Sequence, residues 1–153
     1  MNIEIERKFL VNKHNLPLPD SYKSITQAYL MFNDNQVLRV RRTDSQYQLG
    51  YKIKKTNIHR LEFEYEIPIE DGEKLISLSP YNIIKKDRYF INIEKHTWEI
   101  DLFKDLNKGL VVAEVELSTE TEEISIPDWI GQEVSNDDRY LNFNLSKKPY
   151  SLW

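Results

Sequence analysis

Residues 59–67 read HRLEFEYEI. In an extended chain successive side chains alternate faces. Arg60, Glu62, Glu64 and Glu66 therefore share one side, and Leu61, Phe63, Tyr65 and Ile67 share the other. A helix would scatter both sets around its axis, so the segment is read as a strand with one apolar and one charged face. The same alternation recurs along the chain. From Asn2 to Val11, Glu4, Glu6 and Lys8 oppose Ile3, Ile5 and Phe9. A loop over Asn12–Asp20 leads to a strand at Tyr22–Phe32. Asn33-Asp34-Asn35 is a turn signal, after which Val37, Arg39 and Arg41 oppose Leu38 and Val40. Between Tyr47 and Lys54, Gln48, Lys52 and Lys54 oppose Tyr47, Leu49, Tyr51 and Ile53.

Beyond the opening segment, Pro68 and Pro80 bracket a short helix expected at Glu70–Leu78. Further strands are expected at Ile83–Ile93 (Lys86 and Arg88 together), Thr97–Phe103 (Glu99 and Asp101 together) and Leu110–Leu117 (Glu114 and Glu116 together). The tail from Ser118 reads as helix and loop. Neither an internal repeat nor a composition break divides the 153 residues, so one domain over 1–153 is expected. About eight strands joined mostly by short turns predict a mainly β (α+β) fold: an eight-stranded antiparallel β-barrel tunnel with a few peripheral helices.

A sheet with one wet face would explain the alternation by itself. The grouping of sign argues for something else. Like charges sit at i and i+2 within most strands, only about 6.5 Å apart. Such neighbours add nothing to sheet stability, and like charges directly opposed across strands weaken it. A face shaped for solubility would intersperse the signs. Burying charges costs several kcal/mol each unless they are paired or hold a ligand. These faces make sense lining a wet cavity, and an eight-stranded barrel has room for one small ligand.

Composition narrows the ligand. A charged fraction of 30% beside 40% hydrophobic residues is a globular profile rather than a disordered one. A net charge of −4 does not suggest a nucleic-acid partner. No apolar run spans a bilayer and Met1–Val11 is broken by charge, so no membrane association is expected. With no cysteine there is no disulfide framework and no thiolate zinc site. A cytoplasmic location fits that composition. His14, His59 and His96 fall on no face shared with the acids and are read as exposed or structural rather than as ligands. The acids are all oxygen donors, which suit Mg²⁺ or Mn²⁺ rather than zinc or copper. Arginine grips phosphate bidentately and lysine acts as a point charge. Carboxylates for a metal, opposite cations for an anion, are what phosphoryl transfer needs.

The order of the motifs carries a resemblance. Glu4-Ile5-Glu6-Arg7-Lys8 stands in the run EIERKFLV. LRVRR follows with Arg39 and Arg41, and YKIKK with Lys52 and Lys54. HRLEFEYEI brings Arg60, Glu62 and Glu64, KKDRY brings Lys86 and Arg88, and WEIDLF brings Asp101. VAEVEL adds Glu114 and Glu116, and EVSNDDRYLN adds Asp137, Arg139, Tyr140 and Asn142. In this order, over the whole chain, the sequence resembles the CYTH domain, or triphosphate tunnel metalloenzymes, whose first strand bears an ExExK motif. Two departures stand out: Lys54-Lys55 leaves Lys52 and Lys54 competing as the tunnel lysine, and Asp138 adds an acid to the closing segment.

The resemblance implies a divalent-metal enzyme acting on a triphosphate, as a monomer or homodimer. It implies catalytic roles for Glu4, Glu6, Lys8, Lys52, Glu62, Glu64 and Asp101. Substrate contacts would come from Lys8, Arg39, Arg41, Lys52, Arg60, Lys86, Arg88 and Arg139, and metal ligands from Glu4, Glu6, Glu114 and Glu116. Hydrolysis of inorganic tripolyphosphate is the favoured expectation, as in small bacterial triphosphatases. A class IV adenylyl cyclase, a nucleoside or thiamine triphosphatase, and a non-enzymatic polyphosphate-binding module remain alternatives.

Overall fold

Each alternating segment forms a strand in the computed structural model, which describes residues 2–153. The strands are β1 (Ile3–Val11), β2 (Lys23–Phe32), β3 (Gln36–Thr43), β4 (Gln46–Lys54), β5 (His59–Ile67), β6 (Ile84–Ile93), β7 (His96–Phe103), β8 (Val111–Glu116) and β9 (Ile130–Glu133). The helices are α1 (Ile69–Ser77) and α2 (Asn142–Lys147). Neighbours follow the order β5-β4-β3-β2-β6-β7-β8-β1, and β5 returns to β1 through Ile3↔Leu61, Glu4↔Arg60 and Ile5↔His59. Every pairing is antiparallel, so the result is a closed eight-stranded barrel of the expected class.

The tail from Ser118 departs from its expected helix and loop, because it contains β9. That strand pairs with β1 (Phe9↔Glu133, Val11↔Ile130) on the stretch that β5 does not cover. Four residues reading IGQE have no alternation to betray them. What makes them a strand is the open edge of β1, far away in sequence. The short helix, expected at Glu70–Leu78, lies at Ile69–Ser77. Its Gly72 sits against the ring of Tyr47 on β4, where an added Cβ would come within 2.2 Å of a ring carbon. The missing side chain is what lets α1 lie this close to the barrel wall.

The apolar core is not where a small barrel usually keeps it. One cluster lies on the outer face of β1, β7 and β8: Ile5, Phe9, Trp98, Ile100, Ala113 and Val115, covered by Trp129 from the tail. The other lies at one end of the barrel, where Tyr29, Val37, Ile84, Phe103 and Val112 turn inward and meet Tyr140 and Leu145. Between that apolar plug and the opposite end the inner face is charged. Among the described residues no helix is long and apolar enough to cross a membrane.

Candidate active site

The inner positions of the strands divide the barrel into two halves. Around one arc, β7-β8-β1-β5, the inward side chains are mainly acids: Glu99, Asp101, Glu114, Glu4, Glu6, Glu62 and Glu64. Around the other, β4-β3-β2-β6, they are Lys52, Arg39, Arg41, Gln27, Lys86 and Arg88. Lys8 and Arg60 are the cations on the acidic arc. The two halves meet at two seams, and ion pairs bridge both.

At the β4–β5 seam, Lys52 Nζ lies 2.9 Å from Glu4 Oε1 and 3.3 Å from Glu62 Oε2. Arg39 reaches Glu64 at 3.0 Å and Glu62 at 3.7 Å. At the β6–β7 seam, Arg88 donates to both oxygens of Asp101, at 2.7 and 2.8 Å, and its remaining terminal nitrogen lies 2.7 Å from Glu99. Lys86 Nζ lies 2.8 Å from Asp101 as well. One carboxylate thus serves two buried cations. Burial would raise Asp101, but Arg88 and Lys86 overcome it and hold the carboxyl down to about 2. Lys86 takes the smaller share: burial pushes its amine down to about 7 against the pull of Asp101.

Within the acidic arc the carboxylates crowd one another. Glu6 stands directly across from Glu116, and Glu114 across from Lys8. Burial, then Glu114 and Glu4, push the Glu6 carboxyl well above the ordinary range. Burial works to raise Glu114 too, yet Lys8, Arg88 and Lys86 hold it well below. Of the two, Glu6 is therefore the carboxyl that holds a proton more readily and Glu114 the one that releases it more readily. Burial and then Glu4 and Glu62 raise Glu116.

A cavity of about 280 Å³ opens from this interior, between the turn at Asn33–Gln36 and α2. Glu6, Lys8, Arg39, Arg41, Lys86 and Glu114 are in its wall. Lys52 and Lys54 both reach it, as do Arg60 and Arg88. Glu116 does not: it is exposed and borders a separate depression with Glu99 and Phe90. Arg139 is not brought in either. Its side chain is 63% exposed, bonded to Asp137 and lying over the ring of Trp153. Asp137, two residues away, captures the guanidinium before any tunnel group can. His96 is bonded to Glu122. Charge patterning missed Gln27, which is fully buried and holds Arg41. It also left Asn142 without a role, although its side-chain oxygen accepts from Lys86 and Gln27. Both are neutral, so a search for grouped charge passes over them.

Among the described residues, no three carboxylates or histidines converge closely enough to enclose a cation as the side chains stand. The donor set nevertheless fits a hard divalent ion. The available atoms are carboxylate oxygens, and burial together with the neighbouring acids Glu114 and Glu4 opposes ionisation of Glu6. A dication at that place would offset both effects.

A tunnel with acids along one arc and cations along the other is the architecture of a triphosphate tunnel enzyme. A family model for the CYTH domain matches residues 2–149, and the chain belongs to that family. It is 42% identical to an inorganic triphosphatase of Acetivibrio thermocellus over 98% of this chain and 97% of the relative. It is 31% identical to an inorganic triphosphatase of Nitrosomonas europaea over 94% and 96% of the two chains. A solved crystal structure of an inorganic triphosphatase superposes with a TM-score of 0.68 at 30% identity, over 94% of this chain and 93% of that one. Membership implies an enzyme that works with a divalent metal on a triphosphate.

Proposed function

We propose that the chain hydrolyses inorganic tripolyphosphate within its barrel. The carrying observation is the opposition of the two arcs around one cavity. The basic arc offers Arg39, Arg41, Lys86 and Arg88 to a polyanion, and Lys8, Lys52 and Arg60 add charge from the sides. The acidic arc offers Glu4, Glu6, Glu114 and Glu116 to Mg²⁺ or Mn²⁺, Glu116 from the exposed end of the strand face it shares with Glu114. When bound there, the ion polarises phosphate oxygens and acidifies water.

The chain's own residues do the rest. A guanidinium can take two oxygens of one phosphate, and the ammonium groups fix the next. Held so, the substrate keeps its terminal phosphorus facing the carboxylates of the acidic arc. Water adds to that phosphorus while the bridging P–O bond breaks, giving orthophosphate and pyrophosphate. A carboxylate among Glu4, Glu6, Glu62 and Glu64 takes the proton of the attacking water, and the cations neutralise charge on the departing oxygens. Asp101 acts at a distance, by holding Lys86 and Arg88 in place. A cysteine-free composition fits a reducing cytoplasm.

A substrate panel tests the reading: tripolyphosphate, ATP and thiamine triphosphate, each with Mg²⁺, Mn²⁺, Ca²⁺ or chelator. Orthophosphate and pyrophosphate should appear from tripolyphosphate with Mg²⁺ or Mn²⁺ only. Cyclic AMP as the main product from ATP would replace the hydrolase with a cyclase. Tight binding without turnover of any triphosphate would leave a binding module. Arg39→Ala should raise KM about ten- to a hundredfold, the worth of one charge-assisted phosphate contact.

A further inference from the structure

The cations that line the barrel are not equivalent. Arg39, Lys52, Lys86 and Arg88 each have a carboxylate within 3.0 Å, and Lys8 has Glu114 at 3.7 Å. Arg41 lies among them, half-buried in the cavity wall, and among the described residues it has no acidic partner. Its one side-chain hydrogen bond runs from Nε to Gln27 Oε1, at 3.0 Å. Its two terminal nitrogens have no bond to any described residue. Arg39 and Arg88 crowd it: burial, then these two charges, push its guanidinium down to about 10.

Gln27 is built into this place. It is fully buried and stands directly across from Arg41 in the β2–β3 register. Its amide nitrogen donates to Tyr29 Oη at 2.8 Å and to Asn142 Oδ1 at 3.1 Å. Both donor hydrogens are therefore committed, and the amide oxygen has to face Arg41. Asn142 Oδ1 also accepts from Lys86 Nζ at 3.0 Å, which ties the arrangement to the neighbouring strand β6. The position suits either a glutamine or a glutamate by size. A glutamate would make the ion pair that the neighbouring cations have. Glutamine supplies the same acceptor without the charge.

We infer that Gln27 is a positioning residue: it holds Arg41 by Nε through a neutral oxygen, leaving the terminal nitrogens and the full positive charge for oxygens of the substrate phosphate. The inference rests on the reading that the basic arc binds tripolyphosphate. It assigns to Arg41 the largest uncompensated attraction for the anion, and to Gln27 the task of preserving it.

The test is a mutant cycle with steady-state kinetics on tripolyphosphate in Mg²⁺, with folding checked by circular dichroism. Arg41→Ala should raise KM about ten- to a hundredfold. Gln27→Glu, which adds a competing carboxylate at the same reach, should raise KM at least as much while kcat falls less. Gln27→Met, similar in size but without the acceptor, should raise KM about tenfold in the wild-type background. In the Arg41→Ala background it should add less than about twofold, because its partner is gone.

Equal penalties for Gln27→Met in both backgrounds would overturn the inference, since that is how a purely structural residue behaves. So would a wild-type KM for Gln27→Glu. Should Gln27→Met lose its fold, Gln27→Glu takes its place in the cycle; loss of fold in both makes Gln27 structural and ends the proposal. An unchanged KM in Arg41→Ala would instead reject the phosphate-binding arc itself. No turnover of tripolyphosphate by the wild type would reject the proposed reaction.

Discussion

The two halves of the barrel carry charge in comparable density and treat it differently. Around the basic arc most cations borrow a carboxylate from across a seam, so the positive wall is already half neutralised in the ligand-free chain. Around the acidic arc the carboxylates have more neighbours of their own sign, and Glu6, Glu99 and Glu116 are all displaced upward, burial first and adjacent acids adding to it. One half is organised by ion pairs and the other is held against its own repulsion. Each therefore responds differently to losing a charge. An acid that pairs with cations of the basic half should cost stability when lost, whereas one crowded by other acids should cost activity and spare the fold.

The largest expected effect is at Asp101. Asp101→Asn keeps the volume but leaves Lys86 and Arg88 buried without their shared anion, and should destabilise the chain by about 3–5 kcal/mol. Urea unfolding measures it, and saturating tripolyphosphate should restore part of the loss. A midpoint equal to wild type would dissolve the contrast between the halves. Next is Glu6→Gln. It removes one of two facing carboxyls, so the ligand-free protein should be at least as stable as wild type. Turnover should nevertheless fall by more than about a hundredfold, the upper end of what even an outer partner of a metal site costs. Wild-type turnover would remove Glu6 from the ligands.

A smaller effect belongs to Lys86, whose amine titrates near 7 in the fold against an ordinary 10.5. Between those values the unfolded chain holds a proton that the fold has released. Stability of the ligand-free protein should therefore rise with pH across that interval. Affinity for the polyanion should move the other way, falling as pH passes about 7 and the charge is lost. Lys86→Arg, which stays charged, should flatten that fall in a titration of KM against pH. The smallest effect is expected at Arg139. Arg139→Ala should change KM and kcat by less than about twofold, because an exposed pair such as that with Asp137 contributes little. A tenfold change would bring this residue back to the substrate.

The sequence disclosed the parts of this molecule that are local. Alternation in HRLEFEYEI fixes which side chains share a face, and grouping of like charges fixes that the face is a lining rather than a wetted surface. Neither signal depends on knowing the partner strand. What stayed hidden depends on remote neighbours. IGQE becomes β9 only because β1 offers an unpaired edge there. Arg139 belongs to a matching motif, yet a two-residue reach to Asp137 outranks the tunnel. Gln27 carries no charge to flag it, and its importance exists only opposite Arg41. The inward apolar plug was also hard to foresee, because Val37 shares its strand face with Arg39 and nothing in the alternation says where lining gives way to packing.

The closure of the barrel has a consequence for how the chain assembles. β1 has no partner next to it in sequence: it pairs with β5, β8 and β9, so Glu6 must wait for Glu116 and Phe9 for Glu133. The hairpins from β2 to β5 can form early and locally, since each strand meets the next across a short turn. A strand made before all of them and satisfied after all of them is a long-range contact of the kind that slows folding. On a growing chain β1 meets β5 only through Ile3–Ile5, and the edge that β8 takes stays open, with Glu6 and Lys8 unpaired, until the last strands emerge. Those side chains, placed for chemistry, also keep the waiting strand soluble and discourage it from pairing with a neighbouring molecule.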